Sequence, residues 1–318
     1  MATNAPEFKP FKLALIQLGQ VTNDKAANLK HAREMIRKAV AGEGVGAQSR
    51  PGLVVLPECF NSPYGIKSFP IHAEEIGFKR GEKYDISGSK SDSVKMLSSA
   101  AKEEGIWLLG GSIPERDTSD NKLYNTATVY SPQGDLVAIH RKVHLFDIDI
   151  PGKITFKESE TLTGGNSFNY FDTGPLLPHL RPHATDSARI GLGICYDVRF
   201  PEQAMVAARQ GAQVCIYPGA FNTTTGPLHW ELLARARALD NEVYFALCSP
   251  ARDLSADYHA WGHSMIVDPM GVKLIEAGAE ETIVHASIDP QKFREARTGI
   301  PVTVQRRFDV YPDVSKGF

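Results

Sequence analysis

Cysteine is scarce in this chain, four residues in 318, and none forms a C-x-x-C pair. That count excludes a disulfide framework and reads as free thiols in a reducing compartment. An excess of either charge is missing too. Lys and Arg number 35 against 37 Asp and Glu, a net charge of -2 that gives no electrostatic hold on nucleic acid or an acidic membrane. No apolar run approaches the length needed to span a bilayer. Met1 to Pro10 has neither a signal peptide's apolar core nor an Arg-rich presequence. Cytoplasm is the expected compartment, with the mitochondrion as the alternative. Motifs are missing as well. Gly191-Leu192-Gly193 lacks the third glycine of a dinucleotide fingerprint, and no G-x-x-x-x-G-K-[ST] occurs. Gly262-His263-Ser264-Met265-Ile266 begins like G-x-S-x-G but lacks the second glycine. No metal and no cofactor are expected.

What is present is ordinary globular material, 42% hydrophobic and 23% charged. Short apolar runs alternate with helical spacing. Strands are expected at Phe11–Leu18, Leu53–Leu56, Ile106–Ile113, Tyr124–Tyr130 and Asp135–Leu145, with a turn at Ser131-Pro132-Gln133-Gly134. Helices are expected at Asp24–Val40 and Ser91–Glu104, the second stopped by Gly105. Asp147–Asn166 has little regular pattern and reads as a functional loop, and Gly174–Ser187 as a surface insertion. Beyond Cys195 a helix runs to Gly211, then strand Val214–Tyr217, helix Leu228–Asp240 and strand Val243–Cys248. Trp261–Asp268, Lys273–Ala277 and Thr282–Ile288 complete the strands, and Gln291–Arg297 is a short helix. Tight turns between some strands imply mixed sheets. No repeat and no linker is visible, so one domain is expected over 1–318, with a core of about 11–289 and a tail of 290–318.

Several residues could carry chemistry. Cys195 sits where an apolar strand, Arg189 to Ile194, hands over to a helix, the usual place for functional groups in an open α/β sheet. A helix N-terminus there would favour thiolate; the alternative is a buried structural cysteine. Glu58 ends the run Leu53 to Leu56, either as a desolvated general base or as a solvated loop carboxylate. In His140-Arg141-Lys142-Val143-His144, strand alternation puts Arg141 and Lys142 on opposite faces, so one cation points inward. Without an obvious acidic partner it could stabilise an oxyanion; the alternative is a charged edge strand. His140 and His144 are spaced i, i+4, which serves a metal on a helix and not on a strand.

Three stretches, Leu56-Pro57-Glu58-Cys59-Phe60-Asn61-Ser62-Pro63-Tyr64, Arg141-Lys142-Val143-His144-Leu145-Phe146-Asp147 and Gly193-Ile194-Cys195-Tyr196-Asp197-Val198-Arg199-Phe200-Pro201-Glu202, together resemble the carbon–nitrogen hydrolase (nitrilase) superfamily. The resemblance runs from the first strand to about Ile288. Within the superfamily the chain is most similar to the omega-amidases, through Asp149-Ile150-Pro151-Gly152-Lys153-Ile154-Thr155-Phe156-Lys157-Glu158-Ser159 and Tyr217-Pro218-Gly219-Ala220-Phe221-Asn222. The 174–187 insertion departs from the family's shorter loop.

The resemblance implies an α/β fold, a four-layer α-β-β-α sandwich with mixed sheets, whose protomers pair as a homodimer through the outer helices. It implies Glu58, Lys142 and Cys195 as a catalytic triad with Glu158 beside it. It also places Arg199 and Phe221 against the substrate, with Tyr64 as a further pocket candidate. The residue types then suit a small-molecule amide: Glu58 takes the Cys195 proton, the thiolate attacks, and Lys142 with the Tyr196 backbone N–H holds the oxyanion. Arg199 suits a remote carboxylate, as in 2-oxoglutaramate or 2-oxosuccinamate. The alternatives are a sibling acting on deaminated glutathione or N-carbamoyl amino acids, and a non-catalytic binding protein on this scaffold.

Overall fold

The computed structural model describes residues 8–174 and 187–316. The expected insertion therefore lies, apart from its two ends, outside the described residues. The chain begins with strand β1 (Phe11–Gln17) and helix α1 (Lys25–Val40), which Asp24 caps by accepting from the Ala27 N–H at 3.0 Å. Strand β2 (Leu53–Val55), the short helix α2 (Phe69–His72) and helix α3 (Asp92–Glu104) follow. Ser91 caps α3, and Gly105 ends it in the left-handed conformation at φ 58°, where glycine carries no Cβ penalty. Strands β3 (Trp107–Arg116), β4 (Leu123–Tyr130) and β5 (Leu136–Arg141) complete the first half.

The segment expected to be an irregular loop is a hairpin instead, β6 (Asp147–Ile150) against β7 (Ile154–Lys157), followed by a 3-10 turn at Glu158–Glu160. Alternation over only four residues a side, Asp-Ile-Asp-Ile and Ile-Thr-Phe-Lys, is too short to stand out from a polar loop. The second half holds β8 (Tyr170–Asp172), β9 (Arg189–Leu192), a 3-10 turn at Cys195–Arg199 and α4 (Pro201–Arg209). Then come β10 (Val214–Pro218), α5 (Gly226–Asn241), β11 (Tyr244–Cys248), β12 (Met265–Val267), β13 (Lys273–Glu276) and β14 (Thr282–Ile288). Helices α6 (Pro290–Gly299) and α7 (Val302–Gln305) and a 3-10 turn at Val314–Lys316 close the described chain. The expected strand from Trp261 shrinks to β12, because Gly262 and His263 both adopt positive φ.

Two six-stranded mixed sheets result, in the orders β14-β1-β2-β3-β4-β5 and β13-β12-β11-β10-β9-β8. In the first, β1, β2 and β3 are parallel and their outer neighbours antiparallel; β9, β10 and β11 form the same parallel core in the second. The layering shows in single strands. Leu13, Leu15, Leu53 and Val55 pack with residues of the second sheet, such as Ile216 and Phe245. The intervening Ala14, Ile16 and Val54 pack with Leu29, Met35 and Ile36 of α1 and Leu97 of α3. Both faces of these strands are thus covered, which explains their unbroken apolar runs. On the far side, Ala204 of α4 and Trp230, Ala234 and Ala238 of α5 cover the second sheet. The order is helix, sheet, sheet, helix. Truncating Ile36 to Ala would cost about 2–5 kcal/mol.

Candidate active site

Three strand ends meet in one buried cluster. Glu58 follows β2, Lys142 follows β5, and Cys195 follows β9 in the facing sheet. All three are buried. Arg141 and Lys142 do point to opposite faces. Arg141 turns to Glu115 and Asp117 (2.7 and 2.8 Å), while Lys142 turns inward although β5 is an edge strand. The inward cation is not short of acidic partners, as the sequence led one to expect. Its Nζ donates to Glu158 Oε1 at 2.8 Å and to Glu58 Oε1 at 3.2 Å.

Each carboxylate is held from several sides. Glu58 Oε1 also accepts from Asn125 Nδ2 of β4 at 2.8 Å, and Oε2 from the Ala220 N–H at 2.8 Å. Glu158 Oε1 accepts from the Tyr64 hydroxyl at 2.6 Å, and Oε2 from the Phe146 N–H at 2.7 Å. The Cys195 thiol donates to Glu58 and faces the Ala220 N–H. Cys195 itself has φ 47°, a left-handed conformation uncommon outside glycine and a form of strain that clusters at functional sites. The close approach needs Gly219. A Cβ there would lie 2.9 Å from the Cys195 Cα and 3.3 Å from its backbone nitrogen.

The electrostatics correct one expectation. A helix N-terminus was expected to favour thiolate at Cys195. Instead burial pushes the thiol well up, the Glu58 carboxylate adds to this, and Lys142 opposes it. Burial likewise raises Glu58, against the pull of Lys142 and with a push from Glu158, so this carboxylate is a ready proton acceptor. For Lys142 burial acts downward, but the Glu158 and Glu58 carboxylates reverse it and hold the ammonium well above its usual value. A neutral thiol, a receptive carboxylate and a fixed cation can together pass one proton and steady one negative charge.

Aromatic rings wall the cluster. Tyr64 stacks on Phe156 of β7 with centroids 5.6 Å apart, and Tyr258 leans on Tyr64 at 4.6 Å while donating to the Ala220 carbonyl. Tyr196 lies half-buried against Phe146 and Phe200. Phe221, in the loop after β10, is buried against Trp230. Over it lies Arg199, its Cζ 4.6 Å from the ring centroid, with Nη1 donating to His229 Nδ1 at 3.1 Å. Among the described residues no carboxylate makes an ion pair with Arg199, and burial lowers its pKa. The structure therefore brings all the expected side chains to one region, Tyr64 included.

Sequence reasoning missed Asn125, Ala220, Tyr258, His229 and Asp197. Asn125 carries the only available signal, a polar residue within a strand of buried ones. Asp197 engages both His140 Nε2 (3.1 Å) and His144 Nδ1 (2.8 Å), so those histidines serve a carboxylate. Cys59, beside Glu58, is buried, with its thiol pushed well up by burial.

The carbon-nitrogen hydrolase family profile matches residues 12–298. The omega-amidase NIT2 of Bos taurus is 53% identical over 301 residues, 95% of this chain and 96% of its own length. A hydrolase of Schizosaccharomyces pombe is 49% identical over 308 residues, 97% of this chain and 85% of its own. Among solved structures, Saccharomyces cerevisiae Nit3, a member of branch 10 of the nitrilase superfamily, superposes with a TM-score of 0.81 at 44% identity. That match covers 97% of this chain and 100% of Nit3.

Proposed function

The chain belongs to the carbon–nitrogen hydrolase family, and from that premise we propose that it is an omega-amidase releasing ammonia from the terminal amide of a dicarboxylic keto acid such as 2-oxoglutaramate or 2-oxosuccinamate. The observation that carries this reading is a buried Glu58–Lys142–Cys195 cluster beside the half-buried Arg199, which no acid neutralises among the described residues. In the reaction Glu58 accepts the Cys195 proton and the thiolate attacks the amide carbon. Lys142 and the Tyr196 N–H stabilise the oxyanion. Glu58 passes the proton to the leaving nitrogen, ammonia departs, and a thioester remains. Water, deprotonated by Glu58, then adds to the thioester carbonyl; the acid leaves and Sγ regains its proton. Glu158 keeps Lys142 and Tyr64 in place through Oε1. Arg199 receives the remote carboxylate, where its fork can bind bidentately. The protomers are proposed to pair as homodimers through the outer helices.

Loss of substrate over a panel of small amides, with the leaving amine identified for each, tests the substrate class. The keto-acid omega-amides are expected to lead; deaminated glutathione or N-carbamoyl amino acids ahead of them would point to a sibling activity, and no turnover of any amide to a binding protein. Cys195→Ala is expected to lower kcat by at least about ten-thousandfold with the fold intact. A variant retaining a tenth of the activity would show that Cys195 is not the nucleophile.

A further inference from the structure

Asp197 is fully buried, and its partners come from two separate parts of the chain. Oδ2 accepts from the Ile194 N–H at 2.9 Å, immediately before Cys195. The same oxygen meets His140 Nε2 at 3.1 Å, and Oδ1 accepts from the His144 N–H at 3.0 Å and meets His144 Nδ1 at 2.8 Å. His140 and His144 flank Lys142 two residues on either side, and Ile194 and Asp197 bracket Cys195. One carboxylate thus spans the two stretches that carry the cation and the thiol, and it belongs to the facing sheet from Lys142. The His144 ring, half-buried, is locked by stacking on Phe200 with centroids 3.7 Å apart and planes 11° apart. We propose that Asp197 is a positioning residue that sets the placement of Lys142 relative to the Cys195 elbow, acting through His140 and His144. The hydrogen bonds from the two histidines outweigh the opposing effect of burial and hold the Asp197 carboxyl well below its usual range, so the clamp stays charged. This inference rests on the reading of Cys195 and Lys142 as reacting groups.

The test compares wild type with Asp197→Asn and His144→Ala. Kinetics on 2-oxoglutaramate are normalised to the number of alkylatable Cys195 sites, counted by mass spectrometry after iodoacetamide treatment. Asp197→Asn is expected to lower kcat about tenfold to a hundredfold, the scale of a 1 Å misplacement, with KM changed less than about threefold. The pH midpoint of Cys195 alkylation should rise, because a displaced Lys142 lends less support to the thiolate. A purely structural Asp197 would lower the melting temperature and the number of active sites while leaving kcat per site and the midpoint unchanged. That result would overturn the proposal. Should Asp197→Asn fail to fold, His144→Ala removes one half-buried ring and keeps the backbone bond. A kcat loss of about threefold to tenfold with the same upward midpoint is then expected, the net worth of one ordinary hydrogen bond, and wild-type values refute the clamp. Cys195→Ala separates the two levels. If it turns over substrate, the underlying reading falls and this inference with it. If it is inert while Asp197→Asn behaves as wild type, only the clamp is wrong.

Discussion

At Glu58 burial and charge pull against each other, and burial wins. The consequence is a signed pH dependence. The base must be ionised to take the thiol proton, so kcat/KM should fall as pH falls through the Glu58 midpoint. That midpoint lies above the usual glutamate value of about 4.3, because the pKa is raised. Lys142, raised well beyond its ordinary value, stays an ammonium through the alkaline range and is not the source of a basic limb. A profile flat down to the ordinary carboxylate range would remove Glu58 as the base. Arg199 carries the second prediction at this scale. Arg199→Lys keeps a charge but loses the planar fork, and kcat/KM for 2-oxoglutaramate should drop at least about tenfold, the worth of a charge-assisted bond of about 1.5 kcal/mol. An amide lacking the remote carboxylate should be poor for wild type and little changed by the substitution. Equal losses on both substrates would mean that Arg199 supports the fold or the cluster instead.

Among elements, the turns past strand ends decide the site, and they differ in how legible they are. The β2 and β9 ends can be read from the chain because each is a short apolar run broken by Pro57 or followed by Pro201, both local signals. The partners of those ends cannot be read locally. Asn125 meets Glu58 across β3, and Ala220 meets both Glu58 and Cys195 only because β10 lies beside β9 in the facing sheet. Asp197 bonds residues more than fifty positions earlier in the chain, which no periodicity encodes. The β6–β7 hairpin escapes notice for want of length, yet it supplies Phe156 to the aromatic wall and leads directly into Glu158. Gly219 exposes the precision these turns require. Gly219→Ala would drive a Cβ to 2.9 Å from the Cys195 Cα, where backbone must move. Overpacking of this kind costs about 1–3 kcal/mol, so thermal unfolding should come earlier and kcat should fall with the displaced thiol. Wild-type turnover in Gly219→Ala would show that the elbow tolerates displacement.

Across the whole molecule, two sheets of the same strand pattern put a parallel three-stranded core on each side of the sandwich, and the reacting groups gather where those cores end. The layers also leave an apolar face. Helix α5 turns Trp230, Ala234 and Ala238 inward, while Leu228, Leu232 and Leu239 point outward, each at least half exposed. Positions 228, 232 and 239 share one helical stripe. Beside them the chain after α6 crosses α5, with Thr303 donating to Glu242 at 2.9 Å and Arg306 bonding the Asp240 carbonyl. That segment exposes Val304, Phe308, Val310 and Tyr311. Apolar side chains gathered in this way on an outer layer fit a protein–protein contact better than free solvent. The proposed homodimer would bury them, and a twofold contact would set the stripe of one protomer against the same stripe of its partner. Leu232→Glu combined with Leu239→Glu would then set like charges against each other across the contact. The doubly substituted protein is expected to sediment as a monomer while retaining the wild-type far-UV circular dichroism spectrum. Unchanged sedimentation as a dimer would place the contact elsewhere, and a monomeric wild type would dispose of the pairing altogether.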